Sequence, residues 1–490
     1  MGVVEVVVVG AGVAGLGTAL TLARAGHRVT ILERDATPLP ADAHGAFAWD
    51  RRGAPQVRHS HALLALLRNL LRDHHPDVLA ALLDAGATEM DFIAMMPNGM
   101  DRTPVEGDDD LVALACRRTT CEWVLRSSVL AEPGVELRDG VAMQSLLRVG
   151  EVDGRPLVGG IGVKTPEGTH EELRADLVVA ASGRRLALPE LIASLGAHVD
   201  EQVEDTGIVY YSRFFHLRDG AELPEANGPI GGDLGYLKYA VFLGDNRTFS
   251  VTFASQSDDR ELRALLLDPE VFVAIAGELP VTAPYLDGRA EPITDVNVMA
   301  GLVNRERTFT TDDGLPVVLG LHAVGDAHTA TNPLYGRGCA LGFLSAHLLG
   351  NALGAHGLDH LARGAAYEAA VAERIHPWYL AAVTQDALNR SAAERQHRVE
   401  TGELTPEDAA AQEDPTRALL REGLLPALRI DPVVFRAFLR MFNLLDPPES
   451  LLRNFDLIGR VMAVYQDRDQ RPPEPSLGPD RAGLLAAIAR

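Results

Sequence analysis

The chain of 490 residues has a formal net charge of −23 at pH 7 and is 47% hydrophobic, a globular balance with length enough for more than one domain. The acidic excess repels polyanions, which argues against nucleic acid and anionic membrane surfaces as partners. Three cysteines are too few for a disulfide framework, and Cys116 and Cys121 lack the neighbouring ligands a zinc site needs, so a reducing cytoplasmic location is expected.

In chain order, residues 3 to 9 (VVEVVVV) are β-branched almost throughout, as a strand covered on both faces requires. Glu5, and the lack of a basic segment before the apolar run, favour a buried strand over a signal peptide. The pattern from about Ala14 to Ala25 is helical, Gly26 is placed to end that helix, and HRVTILER returns as a second strand of a βαβ unit. HALLALLRNLLRDHHPDVLAALLDAGA reads as helix interrupted near Pro76, and another helix covers about Thr119 to Leu130. Residues 135 to 181 alternate strands with turns as a β-meander ending at SGRR. From about 207 to 300 the strands lengthen: IVYYSRFFHL is followed by YLKYAVFL and TFSVTFA, joined through GDNR as a hairpin. PVVLGLHAVGDA reads as a return to the first domain, and the chain beyond about 343 is mainly helical, with QRPPEPSLGPD as a loop or frayed end. No stretch approaches the ~20 apolar residues of a membrane span.

Two glycine-rich clusters carry the chemistry. Gly10-Ala11-Gly12-Val13-Ala14-Gly15 follows the first strand and opens the first helix. There Gly10 permits a tight turn, Gly12 lets backbone amides approach a pyrophosphate, and Gly15 permits close helix–strand packing. Glu33, at the end of the second strand, is placed to accept ribose hydroxyl hydrogen bonds. More than three hundred positions later, Gly325 and Asp326 end an apolar strand, and Pro333, Gly336 and Gly338 precede a helix beginning near Ala340. Taken alone this second cluster reads as an ordinary strand–loop–helix connection. Together the two match the two ends of FAD.

The glycine fingerprint with Glu33, the arginine in ACRRTTCEWVL, the strand ending ADLVVAASGR and the late VGDAHTATNPLYGRG together resemble the FAD-dependent aromatic hydroxylase superfamily, with the p-hydroxybenzoate hydroxylase fold, over roughly residues 4 to 350. QVRHSHALL, VYYSRFF and NPLYGRG are most similar to actinobacterial polyether epoxidases of the lasalocid and monensin type. The resemblance implies an α/β fold with α+β elements: a Rossmann-like FAD-binding domain with β-meander (1–75, 101–200, 301–360), an antiparallel-sheet substrate domain (76–100, 201–300) and a C-terminal helical region (361–490). It implies FAD contacts at Gly10, Gly12, Val13, Ala14, Gly15, Glu33, Arg34, Arg58, Arg118, Gly183, Gly325, Asp326, Pro333, Gly336, Arg337 and Gly338. Tyr211, Arg213, Phe215, Asn332, Pro333 and Leu334 are the expected substrate pocket, although sheet packing accounts equally well for any one strand residue.

The implied activity is monooxygenation, epoxidising or hydroxylating a hydrophobic polyketide or terpenoid with dioxygen through a flavin C4a-hydroperoxide, chemistry that the cofactor carries and that needs no acid–base dyad. Typical relatives have an Asp-Gly pair where this chain has Ser182-Gly183, which leaves open whether NADPH reduces the flavin directly or a separate flavin reductase does so. His59 and His61 do not complete a metal site; Gln56, Arg58 or His61 contacts the cofactor, or the segment is a structural loop. A halogenase is disfavoured because Lys164 is the first lysine and Trp49, Trp123 and Trp378 are scattered. An FAD-dependent reductase or dehydrogenase acting on an isoprenoid or polyketide double bond remains open, as does a catalytically silent flavoprotein.

Overall fold

The structure is a computed structural model describing residues 2–225, 230–472 and 476–489. A valine-rich strand needs apolar cover on both faces, and Glu5–Val9 obtains it at the centre of a five-stranded parallel sheet. The sheet order is Leu321–Ala323, Leu177–Ala180, Glu5–Val9, Arg28–Glu33, Val135–Asp139. The late strand therefore does return to the first domain, and this Rossmann-like sheet sets both glycine clusters at strand ends. Two strands expected in the meander, Val135–Asp139 and Leu177–Ala180, belong to this sheet instead. The meander proper is Ala142–Val152, Arg155–Lys164 and His170–Arg174. Turn spacing alone does not tell which sheet a strand joins.

The helix Val13–Arg24 packs against Gly338–His356 through small residues: a Cβ on Gly17 would meet the Phe343 ring at 2.7 Å, and one on Gly350 the Thr21 methyl at 2.7 Å. Against the expectation that no stretch approaches a membrane span, Gly338–His356 is by length and composition long and apolar enough to cross a bilayer. In this fold it is mostly buried against its neighbours, as a core helix that is apolar all round should be. The break at Pro76 separates helices Ala65–His74 and Pro76–Asp84, and Val78, Leu79 and Leu82 of the second share the core of the parallel sheet.

A six-stranded antiparallel sheet forms the second layer, including Ile208–Leu217, Leu237–Leu243 and Thr248–Gln256. The last two are joined at Asn246 and Arg247, both with φ near +50 to +60°, the twist a tight hairpin requires. One face packs on helices Arg260–Leu265 and Pro269–Glu278, begun by Asp259 and Asp268 as N-caps, and the C-terminal helix Arg481–Ile488 adds Leu484 to the same core. The other face turns toward the parallel sheet's carboxyl ends. The described part of the chain beyond 360 is helical, led by His360–Arg374 and His376–Glu400.

Candidate functional site

One cavity of about 530 Å³ runs between the two layers. Gly10 to Ala14, Glu33 and Arg34 form one part of its lining, Arg118, Ser182 to Arg185, Gly325 and Asp326 a second, and Pro333, Leu334, Tyr210, Phe242, Met299 and Val303 a largely apolar third. The two glycine clusters therefore face one space. Their contact is close: a Cβ on Gly325 would lie 2.7 Å from the Ala14 Cβ, and one on Gly342 3.2 Å from it.

The three glycines of the first cluster divide their work. Gly10 has φ +112° and lies against Ala181, whose carbonyl oxygen would be 2.6 Å from a Cβ, while a Cβ on Gly15 would meet the Gly10 carbonyl oxygen at 1.9 Å. Both shape the turn, and Gly15 itself does not line the cavity. Gly12 has no protein atom within 4 Å of its Cβ position, so its missing side chain leaves the cavity open rather than easing a packing contact. Gly12 caps helix Val13–Arg24 without a side-chain cap bond, which leaves first-turn amides facing that opening.

Glu33 is buried and already engaged. Oε2 accepts from the Ala11 amide (3.2 Å) and from Arg51 (3.3 Å), and Oε1 accepts from the Asp35 amide (3.0 Å). Arg51 continues to Glu122 Oε2 at 2.5 Å, and Glu122 Oε1 accepts from Arg118 Nε at 2.7 Å. Burial pushes the Glu122 carboxyl up, but Arg51 and Arg118 outweigh it and hold the group below the usual range, so it is a carboxylate. Arg118 then donates to Cys339 Sγ at 2.5 Å, crossing from the first helix layer to the late segment. Arg51 and Glu122 carry no motif, and sequence reading missed both.

The loop before Gly338–His356 is fixed from behind. The buried Asp386 carboxylate accepts from Asn304 Nδ2 (2.7 Å), Asn332 Nδ2 (2.9 Å) and the Tyr335 hydroxyl (2.5 Å). Asn332 Oδ1 accepts from the Leu334 amide, and Gly336, at φ +69°, sits against the Ala62 Cβ. Pro333, Leu334, Gly336 and Gly338 line the cavity, whereas Asn332 is spent in this network. Arg337 is also turned away, its guanidinium 4.8 Å from the ring centroids of both Tyr335 and Trp378, and burial pushes its pKa down to about 10.

Arg58 is exposed and does not line the cavity, while its loop neighbours Gln56, Ser60 and His61 do. Ser60 bonds the hydroxyls of Ser250 (2.7 Å) and Thr252 (2.6 Å), tying the loop to the antiparallel sheet. His61 Nδ1 donates to the His59 carbonyl (2.9 Å), and burial, then the nearby Arg118 charge, pushes its pKa down to about 3. It is therefore neutral, with Nε2 as acceptor.

The apolar end corrects the expected pocket. Tyr211 and Phe215 point into the core beneath the helices, and Arg213 donates to the carbonyls of Pro269 (2.6 Å) and Thr294 (3.0 Å) on that side. Successive strand residues face opposite ways, so it is Tyr210 that reaches the cavity, donating to Met299 Sδ at 3.2 Å and meeting the His59 ring edge-on. Phe242, Met299 and Val303 are lining residues that no motif marked.

These residues fit a dinucleotide. The buried Ser182 hydroxyl, on the cavity wall, has no hydrogen-bond partner among the described residues, an unmet demand a ligand can satisfy. Arg34 and Arg185 line the cavity without a carboxylate partner among the described residues, so an acidic protein keeps cationic groups there that can match phosphates. Asp326 is available for a hydroxyl; burial pushes its carboxyl up, and Arg184 and Arg118 oppose that.

Comparison with known proteins agrees with this geometry. Residues 5–98 match the family model described as FAD dependent oxidoreductase. A kynurenine 3-monooxygenase of Salinispora tropica is 32% identical over 182 residues, a segment spanning 36% of this chain and only 36% of that protein. PqsL of Pseudomonas aeruginosa, described as a probable FAD-dependent monooxygenase, superposes with a TM-score of 0.55 at 16% identity, covering 82% of this chain and all of PqsL. The flavin-dependent brominase Bmp2 superposes with a TM-score of 0.56 at 15% identity, covering 96% of this chain and 98% of Bmp2. The fold is thus one shared by flavin-dependent monooxygenases and a brominase, and fold alone does not choose between their reactions.

Proposed function

We propose that the protein is an FAD-dependent monooxygenase that transfers oxygen to a hydrophobic small molecule held in the apolar end of the cavity. The observation that carries this reading is the single cavity shared by the Gly10–Ala14 turn, the Gly325–Asp326 turn and the chamber around Tyr210, Phe242, Met299, Val303 and Leu334. Bound FAD would supply dioxygen activation and oxygen transfer.

The protein's own groups bind, orient and exclude water. First-turn amides of Val13 and Ala14, with Arg118, would hold the pyrophosphate, and Glu33 the adenosine ribose, its orientation fixed by Arg51 and the Ala11 amide. Arg34, exposed at the cavity rim, would meet the same nucleotide end. Asp326, Ser182 and Gly183 would meet the middle of the cofactor, and Pro333, Leu334, Gly336 and Gly338 would bound its ring. Tyr210 and Met299 satisfy each other, so their polar atoms are not left bare toward an apolar substrate.

Oxygenation rather than bromination is supported by the lysines: neither Lys164 nor Lys238, the two in the chain, lines the cavity. Epoxidation is our preferred form, on the resemblance of QVRHSHALL and NPLYGRG to polyether epoxidases, with hydroxylation as the other outcome. Ser182 offers no carboxylate where typical relatives carry one, which supports electron delivery by a separate flavin reductase over direct reduction by NADPH. The test is oxygen-18 incorporation from labelled dioxygen into a panel of hydrophobic alkenes and phenols. One labelled atom is expected with a flavin reductase and NADH present, and none with NADPH alone. Product formed without oxygen would overturn the reading in favour of a reductase.

A further inference from the structure

Arg184 lies in the short 3-10 turn Gly183–Arg185 that follows the strand Leu177–Ala180. Its main chain is pinned, because Arg305 Nη1 donates to the Arg184 carbonyl oxygen at 2.6 Å and Gly183 is held at φ +67°. Its side chain is the opposite case. Half-buried and on the cavity wall, the guanidinium makes no hydrogen bond or ion pair among the described residues.

The other deep arginines of the cavity differ. Arg51 is neutralised by Glu33 and Glu122, and Arg118 by Glu122. Arg184 makes no such ion pair among the described residues, and it lines the cavity within electrostatic reach of both the Asp326 carboxyl and the Tyr210 phenol. A half-buried guanidinium that shares the cavity lining with Tyr210, Met299 and Leu334 is left without a partner unless a ligand brings an anion to it. Its planar fork matches a carboxylate or another two-oxygen anion.

We propose that Arg184 anchors a negatively charged group on the substrate, so that the substrate class is a hydrophobic organic acid rather than a neutral hydrocarbon or polyether. This inference rests on the reading of the cavity as an FAD-dependent oxygenase site. Phosphate of a bound nucleotide is the other source of such an anion, and the experiment separates the two.

Protein loaded with FAD is titrated at low ionic strength with 2-naphthoate and with its neutral isostere 2-naphthamide, read by the difference spectrum of the bound flavin. FAD affinity is measured separately by fluorescence quenching. The wild type should prefer naphthoate by about tenfold or more, the scale of a charge-assisted hydrogen bond. Arg184→Gln should bring that ratio to about one, Arg184→Lys should keep part of it, and FAD affinity should change by less than about threefold in both. The inference is overturned if acid and amide bind alike, if neither binds, or if Arg184→Gln keeps the preference. It is equally overturned if Arg184→Gln weakens FAD by more than about tenfold, because the anion would then be nucleotide phosphate. A wild type that takes up no FAD removes the underlying reading; FAD uptake without acid preference removes only this inference.

Discussion

Gly12 and Gly15 stand three residues apart and answer to different constraints. A methyl on Gly15 would lie 1.9 Å from a backbone oxygen, whereas one on Gly12 would protrude into open cavity. Gly15→Ala should therefore lower thermal stability and cofactor binding together. Gly12→Ala should leave the melting temperature within about 2 °C while weakening FAD by about tenfold or more, since only the ligand feels the added methyl. Differential scanning fluorimetry with an FAD titration on both variants checks this; equal loss of stability in Gly12→Ala would show that position 12 is merely structural. Residues of this kind were legible in the sequence because their spacing encodes backbone geometry. Arg51, Glu122 and Asp386 were not, because each acts through partners far along the chain: Asp386 lies 82 positions from Asn304 and 54 from Asn332.

Among elements, the strand Ile208–Leu217 marks where sequence reading ran out. The strand was read correctly, but it is buried on both sides nearly throughout, so its sequence lacks the alternation that would have separated Tyr210 from Tyr211. Histidines tie other elements together in a way composition did not foretell. Arg24 Nη1 donates to His75 Nδ1 (3.0 Å), which leaves His75 Nε2–H to donate to His347 Nε2 (3.3 Å) and joins the Ala65–His74/Pro76–Asp84 corner to Gly338–His356. Burial pushes the pKa down to about 3 in His75 and about 4 in His347 and His59; in His61 burial and the Arg118 charge bring it to about 3. The unfolded chain takes up these protons below about pH 6.5 while the folded chain refuses them until pH 3 to 4, so stability falls as the pH drops through that window. Each histidine contributes up to about 1.4 kcal/mol per pH unit. Urea midpoints should fall between pH 7 and pH 5, and a flat profile over that range would contradict the assigned neutral tautomers.

In the whole molecule, a parallel sheet whose first and late strands are separated by more than three hundred residues brings two chain segments to one cavity, and an antiparallel sheet closes its far end. A dinucleotide would meet Glu33 and its neighbours as well as the Gly325–Asp326 turn, whereas a mononucleotide at that turn would leave the Glu33 part of the cavity without a ligand. The division into a Rossmann-like sheet, an antiparallel sheet and late helices was readable from pattern, whereas the meander's true extent was not, because strand pairing depends on contacts distant in sequence. The most direct test of the account is calorimetric titration of the purified protein with FAD and, in parallel, with FMN. The account predicts one FAD per chain and FMN weaker by about hundredfold or more, since FMN lacks the adenylate that the Gly10–Glu33 end would hold. No heat of binding with FAD, or equal affinity for FMN, would contradict it.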